Sequence, residues 1–245
     1  MWGALLAGLA TGSSLVVGGA VALVRAPREH TLGLVMAFGA GVLLSAVAYD
    51  LVAEALDVSG GPGIVLGLAA GALTFFYGDR LVDRAGGGQR KAVKRSGDGD
   101  SPRAIVLGTI LDGVPESIVV GLTLLAGEGV SIALFAAVFL SNVPESIAAT
   151  SGLAASGMSG GRVLLLWTAI AVLSGLSALA GYALLGSAAE PTVAFVLAFA
   201  AGAVLTMLAD TMMPEAFAHG GNAAGLATTF GFVVAFGIAA LEGAA

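Results

Sequence analysis

The chain contains no cysteine, which excludes thiolate metal sites and disulfides and leaves the compartment open. Charge is scarce: 11% of its 245 residues are charged, against about 25% in an ordinary soluble domain. Aromatic residues make up only 7%, so large rings do not dominate the core. Strict apolar–polar alternation is missing too, which argues against a transmembrane β-barrel. Histidine occurs only at His30 and His219. No basic stretch precedes the first apolar run, so a cleaved signal peptide is not expected. The net charge of −6 gives no reason to expect a nucleic-acid partner.

Apolar residues and glycine take up the space. Hydrophobic residues are 58% of the chain and glycines number 38, with a mean hydropathy of +0.99. This combination predicts an all-α integral membrane protein embedded in a lipid bilayer. Small residues let membrane helices approach closely, and Gly63, Gly67 and Gly71 lie along one face of "GIVLGLAAG". A bilayer core takes about 20 apolar residues of helix. Eight runs are long enough: about 2–24, 31–56, 62–82, 102–126, 130–155, 162–187, 191–217 and 222–242. The longest break, 83–101, is Gly-rich and charged and is expected to be a mobile loop.

The basic residues set a direction. Arg25 and Arg28 lie in the first loop, and Arg162 lies in the fifth. Arg80, Arg84, Arg90, Lys91, Lys94, Arg95 and Arg103 lie in or beside the third. By the positive-inside rule the odd loops face the cytoplasm, which puts both termini outside. The expected location is the cytoplasmic membrane, crossed many times.

Two internal similarities stand out. "AFGAGVLLSAVAYDLVAEA" in the second run aligns without gaps to "AFAAGAVLTMLADTMMPEA" in the seventh, pairing Ala37 with Ala198 and Glu54 with Glu215. The two runs cross in opposite directions, so the halves at about 1–82 and 162–242 read as inverted repeats around a central helix pair at 102–155. The architecture reads 3+2+3, and inverted repeats mark secondary transporters, which bind near the midplane. The second similarity lies inside the central pair: "LDGVPESIVVG" (Leu111–Gly121) is echoed by "LSNVPESIAAT" (Leu140–Thr150).

A charged side chain at mid-bilayer costs a few kcal/mol, yet Glu116 and Glu145 both stand there. Pro115 and Pro144 each remove a backbone hydrogen bond and free the carbonyl four residues earlier, Leu111 and Leu140. Such groups need protein, water or an ion as partner. Asp112 shares a face with Glu116, and Ser141 with Glu145; Asn142 is adjacent. Neighbouring carboxylates would repel each other unless a divalent cation lay between them. Asp50, Glu54, Asp210, Glu215 and His219 are candidates for a pathway to and from that place.

The paired motifs, the two similar helices and the topology together resemble the ZIP family of divalent-metal transporters. The resemblance covers essentially the whole chain. It implies eight membrane helices in a 3+2+3 arrangement and a metal site between the fourth and fifth helices. It implies that Glu116 and Glu145 are ligands, with Asp112, Ser141 and Asn142 at or beside positions where that family carries His-Asn-x-Pro-Glu motifs. Asp112 and Ser141 stand where histidine is usual. The expected cargo is Zn, Mn or Fe moving toward the cytoplasm, with no prosthetic group and no enzymatic activity. The fold leaves room for a homodimer. Two weaker readings are a proton-coupled carrier of a small organic solute and an intramembrane aspartyl protease using Asp50 and Asp79.

Overall fold

A computed structural model describes residues 1–25, 27–82, 84, 102–124 and 131–242. The loop read over 83–101, apart from Arg84, lies outside the described residues. So do positions 125, 126 and 130 at the ends of the runs 102–126 and 130–155.

Among the described residues there is no strand, and eight helices are long and apolar enough to cross a membrane. They are α1 (Trp2–Arg25), α2 (Glu29–Val58), α3 (Pro62–Val82), α4 (Pro102–Thr123), α5 (Ile132–Ala155), α6 (Gly160–Leu185), α7 (Glu190–Gly220) and α8 (Ala223–Glu242). Each matches one apolar run of the sequence to within a few residues. The protein is a multi-pass membrane protein.

The helices fall into two groups. One holds α1, α4, α5 and α6, with α1 packed closely on α5 and α6. The other holds α2, α3, α7 and α8, with α2 against α8 and α3 against α7; α2 also touches α5, along the seam between the groups. Backbones meet where side chains are missing. A Cβ on Gly41 of α2 would fall 1.8 Å from the Thr228 carbonyl of α8, and one on Gly202 of α7 would fall 2.1 Å from the Leu68 carbonyl of α3. Gly41 and Gly202 are matched positions of the internal similarity, so equivalent glycines make equivalent close approaches.

The ends of α5 are well defined. Ser131 is the N-cap, and its hydroxyl accepts from the Leu134 amide at 3.1 Å. At the other end Gly157 has φ +88°. The Gly157 amide donates to Ala154 O at 3.0 Å, and the Met158 amide to Leu153 O at 3.1 Å. That is the Schellman arrangement, which favours glycine because the left-handed conformation penalises a Cβ. The helix that carries Ser141, Asn142 and Glu145 therefore has a set start and stop.

One feature of the chain is not written in its hydrophobic pattern. Both α2 and α7 contain a π-helical segment, Val47–Ala53 and Leu208–Met212. Val47 and Leu208 are matched positions in the internal alignment, so both segments begin at the same place. Such segments are rare and are often found at functional positions. In α7, Pro214 stands two residues past the segment and cannot donate to the carbonyl four residues back, that of Asp210, which favours rearranged bonding there. Ala53 fills the matching position in α2, so proline does not explain that segment.

Candidate functional site

The interior is divided into separate apolar clusters with a polar belt between them. The largest cluster takes Val119, Val120 and Leu122 from α4 and Leu134, Ala137 and Val138 from α5, with residues of α2 and α7. A second includes Ile105 of α4 and Ala149 and Leu153 of α5, with Leu15, Val163 and Trp167. A third holds Ile147 and Ala148 of α5 against Leu32, Met36 and Ala216. On α4 the stretch between Ile105 and Val119 contains buried Asp112, Glu116 and Ser117. On α5 the stretch between Val138 and Ile147 contains buried Ser141, Asn142, Glu145 and Ser146. The first cluster borders both stretches at one end, and beyond their other ends the second cluster joins Ile105 of α4 to Ala149 and Leu153 of α5, so the two motifs occupy a similar level of the protein.

Helix periodicity explains which side chains turn inward. Ile105, Gly108, Asp112, Glu116 and Val119 recur at three- and four-residue spacing along the buried stripe of α4. On α5 the stripe is Leu134, Val138, Ser141, Glu145 and Ala148. All five residues singled out in the central pair are buried: Asp112 is 4% exposed, Glu116 4%, Ser141 0%, Asn142 7% and Glu145 8%. Carboxylates are almost never this buried unless paired with something.

Both prolines are accommodated inside continuous helices. Nearby hydroxyls bond back to the backbone: Ser117 Oγ donates to Gly113 O at 2.6 Å, Ser146 Oγ to Val143 O at 2.9 Å, and Ser141 Oγ to Val138 O at 3.1 Å. With its proton so directed, the Ser141 oxygen keeps its lone pairs for another partner.

The belt is walled by other helices. A Cβ on Gly39 of α2 would lie 3.2 Å from Ser141 Cα, 3.2 Å from the Met212 methyl and 3.5 Å from Leu140 O. Leu140 O is the carbonyl that Pro144 leaves without its helical donor. Met212, fully buried, comes from the π-helical segment of α7. On the other side a Cβ on Gly18 of α1 would lie 2.4 Å from Val143 O. Gly39, Met212 and Gly18 escaped the sequence reading because packing, not chemistry, puts them there. Pro214, two residues from Met212, was the one available signal.

Among the described residues, no group of three or more His, Asp or Glu side chains gathers in a way that could hold a metal ion. The belt thus holds its carboxylates at one level without assembling three of them into a cage.

The pathway candidates are spread more widely. Asp50, half-buried in the π-helical segment of α2, accepts from the Ser131 hydroxyl at 2.8 Å. It therefore supports the N-cap of α5. Glu54 is half-buried one turn further on, and Asp210 is exposed on α7. At the end of α7, His219 Nε2 lies 3.0 Å from Glu215 Oε1, and His219 Nδ1 lies 3.8 Å from Glu29 Oε2 of α2. A Cβ on Gly33 of α2 would lie 2.8 Å from His219 Cβ. Glu215 and His219 therefore join the ends of α2 and α7, away from the belt. Arg80 stacks on Phe76 with its guanidinium carbon 3.9 Å from the ring centroid, as an anchor at the end of α3 would.

No protein-family profile matches the chain. An Arabidopsis thaliana protein named "Putative zinc transporter" is 28% identical over 188 residues, which is 76% of this chain and 30% of that protein. The chain thus corresponds to under a third of that relative's length.

Proposed function

We propose that the protein moves divalent metal ions across a membrane through the polar belt between α4 and α5. The observation that carries this reading is the pair of buried Pro-Glu motifs at one level, bounded above and below by apolar clusters. A buried acid without catalytic neighbours is expensive scaffolding, whereas an ion in transit uses both its charge and its burial. Glu116 and Glu145 are the principal ligands in this reading. Asp112, Ser141 and Asn142 supply further oxygens, and water or the Leu140 carbonyl completes the shell. The similarity to a protein named for zinc transport supports the metal class.

The orientation follows from charge. If the basic ends face the cytoplasm, as the positive-inside rule has it, both termini are outside; inward transport is the direction that the resemblance to divalent-metal transporters implies. The repeated glycine approaches on α2–α8 and α3–α7 support two inverted halves around the central pair. Every ligand proposed is an oxygen donor, which suits harder ions such as manganese better than an imidazole set does. Zinc accepts carboxylates as well, so weak discrimination is expected rather than exclusion of zinc.

The test is uptake of zinc and manganese into sealed proteoliposomes, read with an internal metal-sensitive dye. Wild type should load the vesicles with metal, and Glu116→Gln and Glu145→Gln should each remove most of the signal while the protein still folds. Normal metal uptake by either variant would overturn the assignment. Accumulation of a small organic solute driven by a proton gradient, with no metal uptake, would favour a carrier of another class.

A further inference from the structure

We infer that the groove between the first turns of α4 and α6 is a binding site for one anionic phospholipid. Its phosphate lies between Arg103 and Arg162, and an acyl chain runs along the apolar wall. The groove has a volume of about 660 Å³, within the range of small-ligand sites. Its wall is built from aliphatic side chains of the two helices, Val106 and Leu107 on one and Leu165 and Leu166 on the other. Leu107 is 50% exposed and Leu165 69%, as expected for side chains that face hydrocarbon.

The charges sit at one end only. Among the described residues, Arg103 and Arg162 are the only charged ones lining the groove, and both lie in the first turn of their helices. Ser159, the N-cap of α6, makes no side-chain capping bond, so the first amides of α6 add their partial positive charge to the same end.

From Arg162 to Ala169, the deepest lining residue of α6, the helix rises about 10 Å. A charged rim leading into an apolar channel of that depth fits an amphiphile, not a free anion. Guanidinium forks suit phosphate oxygens, and basic pockets between membrane helices commonly hold anionic headgroups. Among the described residues no carboxylate lines the groove, so a headgroup without its own cation is preferred. The site is separate from the polar belt, and α4, which carries Asp112 and Glu116, forms one of its walls.

The experiment uses the full chain purified in detergent micelles, with bound lipid counted by native mass spectrometry. The probes are dioleoyl phosphatidylglycerol and dioleoyl phosphatidylcholine, which share their chains. Each basic side chain near a headgroup contributes about a fivefold factor. Wild type should therefore retain phosphatidylglycerol over phosphatidylcholine by about tenfold or more. The R103Q/R162Q pair should lose that preference, and R103K/R162K should keep most of it. Ala169→Trp, which fills the apolar end and leaves both arginines in place, should reduce retention of both lipids. Millimolar inorganic phosphate should not displace the bound lipid. The proposal fails if wild type shows no preference, if R103Q/R162Q keeps it, or if Ala169→Trp binds as wild type does. It fails equally if inorganic phosphate competes, since the arginines would then form a plain anion site. Should R103Q/R162Q not fold, the Ala169→Trp and phosphate measurements decide alone.

Discussion

Ser131 donates its hydroxyl proton to Asp50 Oδ1 at 2.8 Å and accepts the Leu134 amide at 3.1 Å. One hydroxyl thus links the π-helical segment of α2 to the start of α5, across the seam between the two helix groups. The first turn of α5 depends on this link. Ser131→Ala removes both bonds and should cost about 1 kcal/mol, the usual size of a lost N-cap. Hydrogen exchange in the first turn of α5 should rise accordingly. Asp50→Asn keeps an acceptor oxygen and should leave that exchange nearly unchanged. If Asp50→Asn nevertheless slows metal uptake, the charge of Asp50 acts on the ion and not only on the cap.

The matched glycines predict a stability pattern. Alanine at Gly41 or Gly202 would bring its Cβ within 1.8 or 2.1 Å of a neighbouring carbonyl oxygen. The helices must then separate, and each substitution should cost about 1–3 kcal/mol or more. Gly237 on α8 has nothing within 4 Å of its Cβ position; alanine there should be neutral or stabilising by up to about 1 kcal/mol. Thermal denaturation in detergent measures all three. Equal melting temperatures for Gly41→Ala and Gly237→Ala would contradict the α2–α8 approach.

Trp167 is fully buried and donates its indole N–H to Thr150 Oγ1 at 2.8 Å. Thr150→Val keeps the shape of the side chain but strands that donor, at a cost of about 1–3 kcal/mol. The effect should appear as lower thermal stability with metal selectivity unchanged. A shift in selectivity would tie this α5–α6 contact to the belt, contrary to the arrangement described.

Most of this architecture was legible in the sequence because the bilayer constrains it severely. Length and hydropathy alone placed every span to within a few residues, and the proline and glutamate pairs pointed to the belt. Burial of Asp112, Glu116, Ser141, Asn142 and Glu145 follows from the helical spacing of those residues. The π-helical segments were not legible. They depend on how the backbone rebonds under packing, and Val47–Ala53 has no proline to announce it. The partners of Asp50 and His219 were hidden for a related reason: Ser131 and Glu29 are distant in sequence and are brought near only by the fold. The close approach of Gly202 to the Leu68 carbonyl was hidden in the same way.

Selectivity is the next consequence of the proposed site. Asp112→His introduces an imidazole into an otherwise oxygen-lined belt and should raise zinc uptake relative to manganese, because imidazole suits zinc better than the harder ion. Competition between the two metals in proteoliposomes reads the change directly. An unaltered ratio would remove Asp112 from the set of ligands to the transported ion.

The central claim is that the ion passes between α4 and α5, and anomalous X-ray diffraction from crystals grown with zinc or manganese tests it most directly. The proposed site predicts an anomalous peak within coordination distance of both Glu116 and Glu145, lost in the Glu145→Gln protein. A peak found only at Glu29, Glu215 and His219, with nothing beside the two glutamates, would contradict it.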